Sequence, residues 1–286
     1  MKTAIITGAG TGMGLEEAKA VAAKGYHTIM ACYRPDADTE VKRQEIIRET
    51  GNQEVEVMDI DLADLSEVCR FATMVKKRIQ HLDLLMNNAG TIQTAYHRTR
   101  DGLEHTVSVN YVGPYLLTRL LLPLMGKGSR IVNMSSLTYR IGRLDFPEFF
   151  THGRKTAFYR IPIYCNTKLA ITLFTFHLAS LLKDRGITVN AADPWIVSTE
   201  IIRMHMFFDP LTDLFFRPFI YTPRQGADTA IHLLLDEDKA GQTGTFNRSN
   251  RIVNVGDKFY HHPQMQELWD KTEAIVTKYL TTQSYE

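Results

Sequence analysis

The chain has 286 residues, of which 44% are hydrophobic and 23% charged, so it is long enough to bury one large core. Its formal net charge is +1 and it has no long run of like charges, which gives nucleic-acid binding no electrostatic support. Cys32, Cys69 and Cys165 are widely spaced and form no CxxC pair, which argues against a disulfide framework and favours a reducing compartment. The histidines show no ligand spacing either, so we expect no metal site.

The first fourteen residues have the pattern of a strand, a glycine turn and the start of a helix. The apolar run 3–6 leads into Thr7-Gly8-Ala9-Gly10-Thr11-Gly12-Met13-Gly14, and a helical pattern covers 15–24. Glycines let a backbone approach a ligand closely, and a helix N-terminus suits a phosphate, so we expect a nucleotide site. Because the strand begins just after Met1, we expect no signal peptide or N-terminal membrane anchor, and a cytoplasmic location.

Strand and helix patterns alternate along the rest of the chain. Strands are predicted over 26–32, 54–59, 82–86, 130–134 and 188–192, and helices over 40–50, 65–79, 102–125 and 164–185. This alternation predicts a single-domain, doubly wound α/β fold, in which a parallel sheet carries helices on both faces. Ligands bind at the carboxyl ends of the strands in such a fold.

The predicted strand ends carry a set of family motifs. They match the patterns TGxxxGxG, NNAG, Ser…YxxxK and PGxVxT in order, at Gly8 to Gly14, Asn87 to Gly90, Ser136 with Tyr164 and Lys168, and Pro194 to Thr199. Over about residues 1–200 the chain therefore resembles the short-chain dehydrogenase/reductase family, with one departure at Trp195. The segments 101–104 and 222–227 are similar to the retinol-dehydrogenase-like branch, whose frequent N-terminal membrane anchor is not expected here.

The resemblance implies a Rossmann-like fold, a nicotinamide dinucleotide, a small-molecule alcohol or carbonyl substrate and a homodimer. We expect the cofactor to be held by Gly8, Thr11, Gly12, Met13, Gly14, Tyr33, Arg34, Asp61, Leu62, Asn88, Ala89, Gly90, Tyr164, Lys168, Pro194, Val197 and Thr199. We expect no nucleic-acid partner and no membrane span.

Tyr164 and Lys168 are four residues apart, which places both side chains on one face of a helix. An ammonium beside a phenol favours the phenolate, so Tyr164 is a candidate general acid or base. Ser136 can hold the substrate oxygen. The resemblance implies the same roles, a contact of Lys168 with the nicotinamide ribose, and a proton relay through water completed by Asn110. The alternative, an ordinary pair on a helix surface, is disfavoured by the other motifs.

Pro114 lies four residues after Asn110 within the same helical pattern. It has no N–H to donate to the Asn110 carbonyl, so we expect this carbonyl to be free to hold the relay water. The alternative is that Pro114 only bends the helix to fit the core, and the two interpretations are compatible.

The end of the second strand, Ala31-Cys32-Tyr33-Arg34, has no acid to bond the adenosine ribose hydroxyls. Arg34 can instead pair with a 2′-phosphate, which favours NADP(H) over NAD(H). The alternative is that Arg34 is a solvated loop residue.

Residues 200–221 occupy the place of the family's substrate lid and are rich in methionine and phenylalanine, which suits a fairly large apolar ligand. Core packing and membrane contact are the alternatives, and interruptions such as Asp209 and Pro210 exclude a bilayer span. The aromatic residues between Ser136 and Tyr164 either wall the substrate mouth or pack beneath a solvated loop.

These patterns predict an NADP(H)-dependent oxidoreductase that interconverts an alcohol and a ketone or aldehyde. The alternative is a dinucleotide-binding scaffold or sensor with little turnover. Trp195 keeps this alternative open, because the family has glycine there. Its indole either turns outward against the lid, where it lines the substrate cavity, or obstructs the nicotinamide.

Overall fold

A single sheet of eight strands forms the centre of the computed structural model, which describes residues 1–146, 148–152, 158–195, 197 and 221–281. The strands are β1 (Thr3–Thr7), β2 (His27–Cys32), β3 (Val55–Asp59), β4 (Leu84–Asn87), β5 (Arg130–Met134), β6 (Thr188–Asp193), β7 (Phe246–Arg248) and β8 (Arg251–Ile252). Their order is β3-β2-β1-β4-β5-β6-β7-β8, and only the last pair is antiparallel. The order reverses between β1 and β4, and ligands bind at such switch points.

Helices cover both faces of the sheet. They are α1 (Gly12–Ala23), α2 (Ala37–Thr50), α3 (Leu65–Arg78), α4 (His105–Val107), α5 (Gly113–Leu121), α6 (Glu148–Thr151), α7 (Arg160–Leu182), α8 (Pro223–Leu235), α9 (Asp257–Tyr260) and α10 (Met265–Thr281). Helices α1, α2 and α8 pack on one face, and α3, α5, α7 and α10 pack on the other. The doubly wound α/β fold predicted from the alternating patterns is confirmed.

The sheet separates two apolar cores because successive strand residues face opposite sides. Ile5 belongs to the core beneath α3, α5 and α7, whereas its neighbours Ala4 and Ile6 belong to the core beneath α1 and α8. Every residue of β1 and β4 is buried. Strands covered on both faces need apolar side chains at nearly every position, which explains their continuous apolar runs.

Helix α7 is long and apolar enough to cross a membrane by length and composition. It is the one such helix among the residues that the structure describes. In the fold, 78% of its most apolar window is buried. It packs against β5 and β6 on one side and against α10 on the other. Its apolar composition is therefore explained by its position in the core.

The helix predicted over 102–125 begins later, at His105, and is not one regular α-helix. Gly102 has φ +81°, outside the helical region, and the Glu104 carboxylate caps α4 by accepting from the Val107 N–H. After α4 the chain makes a π-helical turn over Ser108–Val112, then α5, and a 3₁₀ turn over Leu122–Leu124. In the π turn the Gly113 N–H donates to the Ser108 carbonyl, five residues back. The segment is thus four short pieces, with Pro114 in the first turn of α5.

Three other helices begin earlier than their apolar patterns predict. Helices α1 and α2 begin three residues before the predicted positions 15 and 40, and α7 begins four residues before Tyr164. The first turn of a helix is set by its cap rather than by apolar spacing. Asp36 caps α2, and Pro162 is tolerated in the first turn of α7 because the N–H groups there have no partner within the helix. Tyr164 therefore lies in the second turn of α7.

Candidate active site

The glycine turn joins β1 to α1 at the switch point of the sheet. Gly8 has φ +68°, and its N–H donates to the Ala31 carbonyl at 2.8 Å. A Cβ built on Gly14 would lie only 2.3 Å from the Gly8 carbonyl oxygen, so no side chain fits there. A Cβ on Gly12, which has φ +57°, would meet nothing within 4 Å. The turn therefore has no space for a side chain at Gly14, whereas Gly12 faces open space.

The N-terminus of α1 is built to receive a ligand. Its N-cap Thr11 makes no side-chain capping hydrogen bond within the described part of the chain. Helix α2, by contrast, has a complete capping box formed by Asp36 and Thr39. An uncapped helix N-terminus keeps backbone N–H groups and a partial positive charge available for an anion. The pyrophosphate of a dinucleotide supplies such an anion.

A groove of about 600 Å³ opens in front of this turn. It brings together many of the predicted cofactor residues: Gly8, Thr11, Gly12, Met13, Tyr33, Asp61, Leu62, Asn88, Ala89 and Gly90. It is also lined by residues that the sequence patterns did not single out: Ala31, Ile60, Thr91, Gln93, His105 and Val109. The open turn, the uncapped helix and this groove fit a dinucleotide.

Thr7 fixes the floor of the groove. Its hydroxyl accepts from the N–H groups of Asn88 and Ala89 at 3.0 and 3.1 Å. The Asn88 amide donates to the Thr7 carbonyl at 2.9 Å. These bonds join the end of β4 to the glycine turn although the two lie about eighty residues apart in sequence. Asn88 therefore holds the groove together.

Tyr33 and Arg34 form the outer corner of the groove at the end of β2. Both are exposed, and the guanidinium carbon of Arg34 lies 4.9 Å from the centre of the Tyr33 ring. Arg34 has φ +45°, and its N–H donates to the Asp59 carboxylate at 2.9 Å. An acid from β3, Asp59, is thus held at this corner by a backbone N–H. The Arg34 guanidinium stacks at the rim of the groove, beside a tyrosine that lines it.

The predicted catalytic side chains meet where β5 ends against α7. The Ser136 hydroxyl lies near the Tyr164 phenol and acts to lower its pKa. The Lys168 ammonium is buried, donates to the Met134 carbonyl at 2.8 Å, and lies 5.4 Å from the centre of the Tyr164 ring. A Cβ built on Gly90 would lie 3.9 Å from this ammonium, so the group adjoins the groove. The structure therefore brings Ser136, Tyr164 and Lys168 together as predicted.

The pKa of Tyr164 moves in the direction opposite to the one expected from its neighbour. Burial raises it to about 12, and the nearby Ser136 hydroxyl opposes this shift. Burial also lowers the pKa of Lys168 to about 8, against the opposing charge of Asp193. Near neutral pH, Tyr164 is a neutral phenol and Lys168 is mostly charged. Burial thus acts against the phenolate that the neighbouring ammonium is expected to favour, and the acid–base role of Tyr164 stays a prediction.

Asn110 lies in the π turn and uses its side chain to hold two neighbours. Its oxygen accepts from the Thr91 N–H at 2.8 Å, and its amide donates to the Thr91 carbonyl at 2.9 Å and to the Thr167 hydroxyl at 3.2 Å. The Thr167 hydroxyl in turn donates to the Tyr164 carbonyl at 2.7 Å. Asn110 thus joins the groove to α7. The prediction that Asn110 completes a proton relay through water stays a prediction.

Trp195 is not among the residues that line the groove in front of the glycine turn. Its ring lines a second cavity, of about 340 Å³, between β6, β7 and the start of α8. The guanidinium carbon of Arg248 lies 4.8 Å from the centre of the indole. Pro194 lines the same cavity, and Val197 is buried two residues further on. The described contact of the indole is therefore with Arg248 and not with the cofactor groove.

Some predicted residues lie outside the described ranges. They are Thr199 and the lid over 200–221, apart from Tyr221. In the stretch between Ser136 and Tyr164, Phe149 and Phe150 are buried in the core. Of the two interpretations of this stretch, core packing is the one these two rings follow.

Among the described residues, one group could hold a metal ion: His232, Asp236 and Asp238, after and within the last turn of α8. The Arg130 side chain at the start of β5 donates to the Asp236 carbonyl. The group therefore lies at the amino-terminal end of the strands, whereas the groove lies at their carboxyl ends, and it takes no part in the candidate active site.

The glycine turn and groove suit a nicotinamide dinucleotide, and an acid–base side chain adjoins them on α7. Fold and site together define a dinucleotide-dependent oxidoreductase. The family model described as short chain dehydrogenase matches residues 2–149. The chain belongs to the short-chain dehydrogenase family, and it is an alcohol dehydrogenase of that type.

Its relatives place it in the retinol-dehydrogenase-like branch. Retinol dehydrogenase 11 of Mus musculus and of Homo sapiens are each 38% identical over 272 residues, 94% of this chain and 84% of the relative. Among solved structures, an uncharacterized protein from Mycobacterium Paratuberculosis has a TM-score of 0.76 at 27% identity, covering 97% of this chain and 94% of its own. A short chain dehydrogenase from Burkholderia cenocepacia, solved with NADP, has a TM-score of 0.69 at 23% identity, covering 86% of this chain and 95% of its own.

Proposed function

We propose that the protein is an NADP(H)-dependent oxidoreductase that interconverts an alcohol and a ketone or aldehyde on a fairly large apolar substrate, with Tyr164 as general acid or base. The observation that carries the proposal is the placement of the Tyr164 phenol near Ser136 and beside the buried Lys168, next to Gly90 of the groove. A proton donor, a second hydroxyl and a cation converge there. This is the set of groups that a carbonyl reduction needs.

Each side chain has a role that follows from its surroundings. The hydroxyls of Ser136 and Tyr164 hold the substrate oxygen, and Tyr164 gives its proton to that oxygen during reduction. Because burial keeps Tyr164 neutral near pH 7, the proton is present when it is needed. The Lys168 charge stabilises the phenolate left behind. When bound, the dinucleotide supplies the hydride for reduction or accepts it during oxidation.

The groove residues hold the dinucleotide. The N–H groups at the start of α1 face its pyrophosphate, beside Gly12 and Met13. Asp61 and Leu62 line the groove beyond the end of β3, together with Tyr33, and would hold the adenosine end of the dinucleotide. One oxygen of the Asp61 carboxylate already accepts from the Ala63 N–H at 2.8 Å, which fixes its orientation. The remaining carboxylate oxygen is the adenosine-facing acceptor.

The test is NADPH oxidation measured with purified protein against a panel of apolar ketones and aldehydes. Turnover with members of the panel supports the oxidoreductase. NADPH binding without turnover, in both directions and with apolar alcohols included, would favour the sensor alternative instead. A small polar carbonyl such as pyruvate serves as the control for substrate size, and we expect it to react least.

Support for an apolar substrate comes from two sources. The relatives bear the name of retinol, a large apolar alcohol. The segment 200–221, rich in methionine and phenylalanine, stands where the family has its lid. We therefore expect the substrate to carry a large apolar part.

The preference for NADP(H) rests on Arg34 at the rim of the groove. Arg34→Ala should weaken NADPH binding by about 1.5–3 kcal/mol, the contribution of a charged hydrogen bond, and hardly affect NADH. Fluorescence titration of both cofactors measures this. Arg251→Ala, on exposed strand β8, is the matched control. An equal loss for both cofactors would show that Arg34 does not contact the 2′-phosphate.

We propose a cytoplasmic location. Cys32, Cys69 and Cys165 form no disulfide with one another, which fits a reducing compartment. The apolar helix α7 is accounted for by core packing. Separation of soluble and membrane fractions from expressing cells tests this, and recovery in the membrane fraction would contradict it.

A further inference from the structure

The turn after β6 adopts a backbone conformation that normally requires glycine. Trp195 has φ +63°, in the left-handed region where a side chain crowds the following carbonyl. An amino acid with a large side chain persists in this region only when its surroundings hold it there. The contacts of Trp195 therefore identify what holds the turn.

Two side chains hold it, and together with Trp195 we call them the tryptophan clamp: Asp193, Trp195 and Arg248. The Asp193 carboxylate is only 1% exposed. It accepts from the Trp195 N–H at 3.0 Å and from Nε of Arg248 at 2.8 Å. The Arg248 guanidinium also stacks over the indole at 4.8 Å. Arg248 is thus the one member that contacts both the carboxylate and the ring.

The sheet itself brings the clamp together. Asp193 ends β6 and Arg248 ends β7, and the two are paired in the register of these strands. Their charges lie next to each other in a largely buried place, where an ion pair with good geometry is screened little. Two of the three clamp residues, Asp193 and Arg248, therefore lie on strands of the central sheet.

The turn held by the clamp leads directly to the groove. Val197, two residues after Trp195, is buried. A Cβ built on Gly226 would lie 2.5 Å from Cγ2 of Val197 and 2.9 Å from Sδ of Met13. Met13 lines the cofactor groove at the start of α1. Val197 and Met13 therefore both pack against Gly226, and a shift of the turn would disturb this packing at the start of α1.

We propose that Arg248 is a positioning residue that holds the turn after β6 in its left-handed conformation, through Asp193 and the indole of Trp195, and so sets Val197 beside Met13 at the end of the cofactor groove. The proposal rests on the proposed function, because it assigns Arg248 to the support of the cofactor groove beside Met13. It explains how this chain keeps a tryptophan where its family has glycine.

A double-mutant cycle tests the proposal. Asp193→Asn and Arg248→Met are made together, so that no bare carboxylate is left buried, in the wild-type chain and in a Trp195→Gly chain. We expect kcat/KM and NADPH affinity to fall at least tenfold in the wild-type chain. In the Trp195→Gly chain we expect less than a twofold fall, because glycine takes a positive φ without help. Any effect of Asp193→Asn through Lys168 is common to both chains, so it cancels when the fall in one chain is divided by the fall in the other.

Equal losses in the two chains, or no loss in either, would overturn the proposal. If the wild-type chain turns over no member of the substrate panel, the result counts against the proposed function. In that case the NADPH dissociation constants alone complete the cycle, so the two failures are distinguishable.

Tryptophan fluorescence gives a readout that needs neither cofactor nor substrate. The chain has two tryptophans, so a Trp269→Phe background leaves Trp195 as its only tryptophan. Arg248→Met should at least double the quenching of its emission by acrylamide, because the guanidinium no longer covers the indole. Arg248→Lys keeps a charge for Asp193 but lacks the flat guanidinium, and should raise quenching as well. Arg251→Met is the control, and unchanged quenching in both Arg248 variants would overturn the clamp.

Discussion

The two ends of the candidate site recognise their partners by different means. The glycine turn after β1 offers backbone N–H groups from an uncapped helix, and a Cβ at Gly14 would collide with backbone. The face of α7 offers side chains, Tyr164 and Lys168, whose pKa values are set by burial. The first end is therefore sensitive to shape and the second to charge. Mutations at the first should change cofactor binding, and mutations at the second should change turnover.

Removing the Tyr164 hydroxyl should have the largest effect. Tyr164→Phe should lower turnover by about a hundredfold to ten-thousandfold, the usual contribution of a general acid, and leave NADPH affinity nearly unchanged. Steady-state kinetics and a cofactor titration separate the two. Tyr159→Phe is the control, because Tyr159 is exposed just before α7. Wild-type turnover in the Tyr164 variant would show that the acid–base role is wrong.

The glycine turn is tested by adding one methyl group at two places. Gly14→Ala places a Cβ 2.3 Å from the Gly8 carbonyl oxygen, so the turn must move. NADPH affinity should fall about a hundredfold, which is about 2.8 kcal/mol. Gly10→Ala is the matched control, because its Cβ would meet its nearest neighbour, Cys32, at an ordinary 3.5 Å. Similar losses for both variants would contradict the difference in shape between the two positions.

The pH dependence of turnover reports the charge on α7. Lys168 must be protonated to stabilise the phenolate, and burial lowers its pKa to about 8. Turnover in the reductive direction should therefore be level below about pH 7 and fall above about pH 8, up to tenfold per pH unit. The neutral Tyr164, with its pKa raised to about 12, does not limit this range. A rate that rises through pH 8 in this direction would contradict the assignment.

A buried acid behind the glycine turn affects the pH dependence of the free energy of unfolding, and not the candidate site itself. Glu17 of α1 is fully buried, and both its carboxyl oxygens lack a hydrogen-bond partner in the described structure. Burial raises its pKa well above the usual value. The folded chain thus keeps a proton that the unfolded chain releases above about pH 5, so the free energy of unfolding falls as pH rises.

Glu17→Gln removes this titration. Its stability advantage over the wild type should grow by up to about 1.4 kcal/mol per pH unit above about pH 5. Denaturant unfolding at about pH 5 and about pH 7 measures it. The neighbouring, partly exposed Glu16→Gln is the control. A constant difference between Glu17→Gln and wild type would mean that Glu17 is ionised in the folded chain.

The sequence alone determined the parts of the protein that depend on near neighbours. The order of strands and helices follows from local apolar spacing, and the glycine turn follows from residues within one segment. Tyr164 and Lys168 share a face because four residues make about one helical turn. Resemblance to the family added that distant motifs at the strand ends form one site, and in the fold the ends of β1, β2, β3 and β4 lie together at the groove.

The tertiary structure decided what depends on residues far apart in sequence. Burial by several elements reverses the expected direction of the Tyr164 pKa, and no local pattern encodes that burial. The π turn at Asn110 replaces a regular helix because the Gly113 N–H reaches the Ser108 carbonyl next to Pro114. Trp195 was visible in the sequence as a departure from glycine, but the direction of its indole was not. That direction depends on Arg248, which only the pairing of β6 with β7 brings within reach.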